Sequence, residues 1–559
     1  MQPRNRTIHA LAQATAVLGI ALATLAAGAQ QHGDHEDAAH FWPGNLVVSR
    51  SVYDNNPANV TVGASTQGGC GASTGAIANG TYPFVFNNDL YDASFGITSR
   101  VYLDQLTPDG HLVDSLEVPN SLDRGIKSSS DQLVTSFSSK SEIALHLSTD
   151  HRSLTFMGYV APVNALDVSN SNTPLAIDPT NPVGQEFYRA VATVGRGGHF
   201  SFTETNAYSG NNGRAAILND SDGNRILYTA GNAGNGGNPQ PDGIVLGAGA
   251  QFIDLTSKPE AQQDPGTPSP VASFNITELG QKADKIGKDD NFRGMTVFNN
   301  VLYFTKGSGS NGVNTVYFVD TTGKACPNGV GLPAANAQLP TTPLTYDPAA
   351  LQTTGLPSNM CILAGFPTAL AKKANPLAFP FALWFANATT LYIADEGDGF
   401  ASDSTLYTHA AAQTTAGLQK WIFNSTTSTW NLAYTLTSGL QLGVPYTVHG
   451  YPAGNNAATS LPWAPATAGL RNIEGRINRD GSATIWAITS TVSGNGDVGA
   501  DPNRLVAVND RLTNTDATVA AKEQFSIVRQ AGFAEVLRGV AFAPGTGADD
   551  DHGQSHDRW

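Results

Sequence analysis

One phrase recurs at a fixed interval in the second half of this chain, and it constrains the fold more than any other feature. After Phe292, the runs Met295-Thr296-Val297-Phe298 and Val301-Leu302-Tyr303-Phe304 flank Asn299-Asn300, and Thr315-Val316-Tyr317-Phe318-Val319 follows a Gly/Ser/Asn stretch. Asparagine tolerates positive φ, so an Asn-Asn step between β-branched and aromatic runs predicts a tight hairpin, and the third run extends it into a meander. The same order returns at Phe381-Ala382-Leu383-Trp384-Phe385, continuing through Leu391-Tyr392-Ile393-Ala394-Asp395 to runs at 418–423 and 430–436, and returns again from Leu470. Phe292, Phe381 and Leu470 are spaced at intervals of 89 residues, room for four strands and one long insertion. Weaker pairs precede them: 142–147 with 153–158, then 198–205, then 214–218 with 225–230 around an Asn/Asp/Gly turn.

Many small antiparallel meanders in one chain create many unpaired edges. Radial closure leaves each unit only a short protected edge. The chain ends point the same way: Val536-Leu537-Arg538-Gly539-Val540-Ala541-Phe542-Ala543-Pro544 repeats the opening at Phe292-Arg293-Gly294 but no hairpin follows it. A lone strand there completes a unit begun by Leu46-Val47-Val48-Ser49-Arg50. The expected fold is all-β, a single β-propeller over residues 41–546 closed by pairing of the N- and C-terminal strands. Length favours seven blades. Six or eight stay open because the loops around 232–270 and 326–378 are long, and a pair of two-layer sandwiches is the rival architecture. The chain resembles exported bacterial β-propeller proteins in which an Arg-Gly-hydrophobic-Ala-Phe-x-Pro phrase opens or closes a blade; residues 538–544 carry it fully and residues 293–298 in part. That resemblance implies architecture and no particular reaction.

Composition narrows the class further. An apolar content of 40 % supplies a core and excludes wholesale disorder. A balance of 31 basic against 46 acidic residues disfavours nonspecific binding to nucleic acid or to an anionic membrane. Residues 1–29 read as a signal peptide, with Arg4 and Arg6 ahead of an apolar run and Ala27-Gly28-Ala29 as the small-residue cleavage pattern. The expectation is a secreted or periplasmic protein with no transmembrane segment in the mature chain. Residues 30–40 form a His/Asp-rich flexible start, and 547–559 an acidic, His-rich flexible tail. In an oxidising compartment Cys326 and Cys361 form a disulfide across 34 intervening residues, leaving Cys70 over.

The chemistry is less sharply written. Gly71-Ala72-Ser73-Thr74-Gly75 matches a nucleophile elbow formally, yet no buried strand precedes it and no helix follows, so it reads as a glycine loop. The strand ending Ala394-Asp395-Glu396-Gly397-Asp398 offers hard oxygen donors, and Asp395 and Asp398 with Asn472 are the candidate ligands of a divalent metal ion, calcium above others. Asn472 and Glu474 share a strand face at i and i+2. With His199, Arg293 and Arg471 they would line an axial channel, Glu474 or His199 serving as general base and an arginine steadying negative charge. Tyr446, His449 and Tyr451 form an aromatic loop suited to a flat or sugar-like ligand. The leading expectation is a recognition module for a small neutral ligand, a glycan or an extracellular protein. The alternatives are a metal-assisted hydrolase or lyase acting on a small ester, lactone or sugar, and a structural subunit of an extracellular assembly.

Overall fold

Asn299 and Asn300 both take positive φ, 48° and 59°, and so close the hairpin that joins Met295–Phe298 to Val301–Lys306. A computed structural model shows how such units assemble. It describes residues 40–547 except 60–64, 68–72, 76–96, 120–132, 137–142, 233–248, 255–259, 262–271, 274–290, 308–311, 342–359, 496–498 and positions 55, 175, 178, 180, 182, 224, 327, 458 and 500. The expected signal peptide at 1–29, the stretch 30–39, Cys70 and the tail from 548 onward lie outside the described residues.

Six antiparallel meanders of four principal strands follow one another. From the innermost strand outward, blade 1 is Glu535–Phe542, Leu46–Val52, Thr98–Leu106 and Leu112–Glu117. Blade 2 is His146–Leu147, Ser153–Tyr159, Arg189–Gly195 and Phe200–Thr205; blade 3 is Asn212–Asn219, Ile226–Asn232, Ala250–Asp254 and Ala272–Ser273. Blade 4 continues from the Asn-Asn hairpin through Thr315–Val319 to Met360–Leu363. Blade 5 comprises Pro380–Asn387, Thr390–Asp395, Gly417–Asn424 and Thr429–Leu436, and blade 6 Ala466–Ile477, Ser482–Val492, Arg504–Arg511 and Ser526–Gln530. Each innermost strand touches the innermost strands of the two neighbouring blades, and the last touches the first. The molecule is therefore a six-bladed β-propeller. Phe292, Phe381 and Leu470 open blades 4, 5 and 6, so the 89-residue interval is the repeat of three successive blades.

Closure is as expected. Leu46 pairs with Phe542, Val47 with Ala541 and Val48 with Val540, so the C-terminal strand is the innermost member of a blade whose other strands come from the N-terminal region. The preferred count of seven is corrected to six. Chain length was spent on connections instead, such as residues 53–97 between the second and third strands of blade 1.

The Arg-Gly phrase has a steric cause. A Cβ on Gly539 would lie 2.3 Å from the Ile143 carbonyl oxygen, and one on Gly294 would lie 2.4 Å from that of Phe381. Only glycine lets neighbouring inner strands approach so closely. A hydroxyl from the second strand fills the polar gap: Ser49 Oγ accepts from Gly539 N at 2.7 Å and donates to Ile143 O at 2.7 Å. Thr305 Oγ1 likewise accepts from Gly294 N at 2.9 Å and donates to Phe381 O at 2.6 Å. Blade 2 uses the same contact forward, Thr155 Oγ1 donating to Ala216 O at 2.6 Å. Apolar side chains fill the spaces between blades, with Trp486, Phe156, Tyr317 and Tyr392 among the fully buried ones.

Cys326 and Cys361 are joined as a disulfide, their Cα atoms 5.8 Å apart. Asp320 sets up the approach by accepting from Thr322 N at 2.8 Å and Ala325 N at 2.7 Å, which folds the turn leading to Cys326. No helix among the described residues is long and apolar enough to cross a membrane.

Candidate functional site

Two regions lie along the axis. At the C-terminal ends of the innermost strands, a cavity of about 810 Å³ takes wall residues from all six blades. His146, Asn219, Thr296, Trp384, Glu474 and Phe542 each come from a different innermost strand. Glu474 is half-buried there. Burial pushes its carboxyl up to about 7, against hydrogen bonds from the backbone of Gly475 and Phe542. His146 moves in the direction that also favours its neutral form: burial pulls the imidazole down to about 4 despite backbone contacts with Met295 and Ala216. Besides Glu474 and His151, the chamber is lined by amides, hydroxyls, an indole and the neutral imidazole of His146, polar groups that carry no fixed charge.

Toward the N-terminal ends of the same strands, Arg293 and Arg471 are buried, but around a carboxylate that the strand pattern did not single out. Glu396 Oε1 lies 3.3 Å from Arg293 Nη2, and Oε2 lies 3.1 Å from Arg471 Nε. The Phe381 ring lies against both guanidinium groups at 5.7 and 5.2 Å. The acidic phrase at 395–398 held the signal, since three carboxylates follow one strand; alternation sends neighbouring side chains to different sides, and the partners of Glu396 stand on other blades.

The remaining candidates disperse. Asp395 is fully buried and accepts from Phe379 N at 2.8 Å, Gly397 N at 3.0 Å and Gln419 Nε2 at 3.3 Å, with burial pushing it up to about 7. Asp398 faces another way, bonded to His409 Nε2 at 2.6 Å and to Gln413 beside the short helix Leu406–Ala411. The pairing of Ala466–Ile477 with its neighbour slips between Leu470 and Ile473, so the expected simple alternation fails there. Asn472 accordingly donates to Arg538 O at 2.8 Å across to blade 1, while Glu474 enters the cavity. His199 is not axial. It is exposed in the turn between Arg189–Gly195 and Phe200–Thr205, the two outer strands of blade 2, because Gly197-Gly198 is used to make that turn, Gly198 at φ 78°. Among the described residues one group of three His, Cys, Asp or Glu donor atoms falls within 4.8 Å, Asp320 with Cys326 and Cys361, and both of its sulfurs are in the disulfide.

The aromatic loop is docked on blade 6. Tyr446 donates to Pro502 O at 2.8 Å with the Arg504 guanidinium 3.6 Å from its ring centre. Tyr451 donates to Asp501 at 2.5 Å and meets Trp463 edge-on. Asp501 also accepts from Ser493 and Thr491, both at 3.0 Å. His449 alone of the three is exposed. Trp421 stacks on Phe366, and Trp430 packs against Phe385, leaving Trp384 as the indole at the axis.

No protein-family model and no curated protein matches the sequence. Among solved structures, the chain is similar to a glycoside hydrolase family 43 arabinoxylan arabinofuranohydrolase from Bacillus subtilis, solved in complex with cellotetraose, at 12 % identity and a TM-score of 0.27 over 91 % of this chain and 92 % of that one.

Proposed function

We propose that this is an exported propeller that recognises a small neutral, hydroxyl-rich ligand, such as the end of a glycan, in the axial cavity. The observation that carries the reading is the cavity wall. One indole, Trp384, stands among Asn219, Thr296, Gln338 and a carboxyl raised toward neutrality, a combination of flat apolar surface and convergent uncharged polar groups. The disulfide is consistent with an oxidising compartment. Calorimetric titration with a panel of neutral and anionic oligosaccharides tests it. Neutral members should bind, and Trp384→Ala should weaken them at least tenfold; no binding by any neutral member, or equal binding by the variant, overturns it.

Glu474 favours a second reading, hydrolysis at the same cavity. A carboxyl near 7 has the proton affinity of a general acid or base at working pH. Under that reading Glu474→Gln abolishes turnover of a bound glycoside or ester and leaves its affinity within a few-fold.

A further inference from the structure

Between blades 5 and 6, away from the axis, a lysine is completely buried. Lys420 stands on Gly417–Asn424, and its Nζ lies 2.9 Å from Oδ2 of Asp510, equally buried, on Arg504–Arg511 of the next blade. Tyr434 donates to Oδ1 of the same carboxyl at 2.7 Å, and Tyr392 donates to Oδ2. The ammonium is aimed by the carbonyls of Arg511 and Asn514 at 2.8 and 2.9 Å. Glu523 completes the group. It touches the Asp510 carboxyl, and its Oε2 is buried with no donor in reach. Two charged carboxyls in contact there would repel, which together with burial favours the protonated form of Glu523.

We propose that Lys420 and Asp510 are an intramolecular cross-linking site, at which Lys420 Nζ and Asp510 Cγ condense to an amide that joins blades 5 and 6. An ordinary buried ion pair needs only the first contact; this cluster adds a proton carrier and two hydroxyl donors on the carboxyl oxygens. Proton transfer across the 2.9 Å contact gives an amine beside a carboxylic acid, a direction that the dry surroundings favour. The nitrogen lone pair then forms the bond to Cγ, and the carbonyl electron pair moves to an oxygen held by tyrosine hydroxyls. Collapse of that intermediate breaks the other C–O bond. The hydroxyl leaves as water with a proton from Glu523, which recovers one from the nitrogen. Amine plus acid gives amide plus water, and no other reactant enters. Fixed juxtaposition stands in for activation, as in other reactions made intramolecular. Burial pulls the Lys420 ammonium below its ordinary value and pushes Glu523 up to about 7, with Asp510 adding to the latter, so the proton positions agree with the geometry.

Mass spectrometry of the reduced, full-length protein tests this. The expected mass is one water below that of the sequence, and trypsin should leave Lys420 uncut with residues 505–511 covalently attached to 374–471. Lys420→Arg should restore the full mass. Glu523→Gln, nearly the same shape, should do so while keeping the circular dichroism spectrum of the parent. Full mass in the parent, with cleavage after Lys420 and a free 505–511 peptide, overturns the proposal whether or not any variant folds. Cross-linking to the parent extent in Glu523→Gln overturns the assignment of the proton relay.

Discussion

Arg471 of blade 6 holds Glu396 of blade 5, Nε to Oε2 at 3.1 Å, and the same carboxylate holds Arg293 of blade 4. One negative charge thus ties three consecutive blades at a point where all three side chains are buried. Removing it leaves two buried guanidinium groups beside the Phe381 ring without their shared counter-charge. Glu396→Ala should destabilise the protein by about 3–5 kcal/mol, the range for stripping one partner from a buried ion pair. Urea unfolding measures this, and a loss below about 1 kcal/mol would mean that water or another group takes over the carboxylate's role.

Stability should fall as pH rises through neutrality. Asp395 and Glu474 are pushed up to about 7 and Asp501 to about 6, in each case chiefly by burial. Their raised folded values mean that the native state binds more protons than the unfolded chain between about pH 4 and 7, so the contribution is full below the unfolded values and lost on passing the folded ones. Asp114 and Asp480, held below the ordinary range by hydrogen bonds from His40 and Ser482, act in the opposite sense at lower pH, and His146, pulled down to about 4 by burial, opposes the three carboxyls between about pH 4 and 6.5, one group against three. Unfolding free energies measured at about pH 5 and pH 8 should decrease, with a shallower slope in Glu474→Gln; stability that climbs over that window contradicts the assignment.

The inter-blade hydroxyls make a separate prediction. Thr305→Val keeps the shape but leaves Gly294 N and Phe381 O without their shared partner, which should cost about 1–3 kcal/mol. Gly539→Val is more severe, since the Ile143 carbonyl occupies the space of the new side chain. Thermal melts rank the two. A Gly539→Val protein that melts with the parent would show that inner strands separate more easily than their spacing implies.

The disulfide should act locally. Cys326→Ser with Cys361→Ser frees a segment with a sequence separation of 35 on blade 4, and the lost constraint on the unfolded chain is worth roughly 2–4 kcal/mol. Limited proteolysis should cut between 326 and 361 first, with the remaining blades still protected. Simultaneous cleavage throughout the chain would make the bridge a requirement of the whole ring.

Much of the fold was legible because local chemistry and closure agree. The Asn299-Asn300 turn, the interval from Phe292 to Leu470, and the C-terminal strand at Glu535–Phe542 that no hairpin follows are all properties of short segments. Blade number was not, since loop length and strand length add to the same total. At the axis, Glu474 was legible as an inward polar residue on a strand. Glu396 was not paired with Arg293 and Arg471, because its partners approach from other blades, and Lys420 read as one residue of a strand until Asp510 met it from the next repeat. His199 was not legible as an outer-turn residue, because that depends on the Gly197-Gly198 pair before it building a hairpin turn.

The position of Glu535–Phe542 at the centre of blade 1 fixes the timing of assembly. During synthesis, Leu46–Val52 emerges early yet lacks its inner neighbour until nearly all other strands exist, which at about 5–20 residues per second is a delay of tens of seconds. Until then the nascent polypeptide is an open arc whose two terminal meanders have nothing to rest against. The circle is sealed only once the final strand is available.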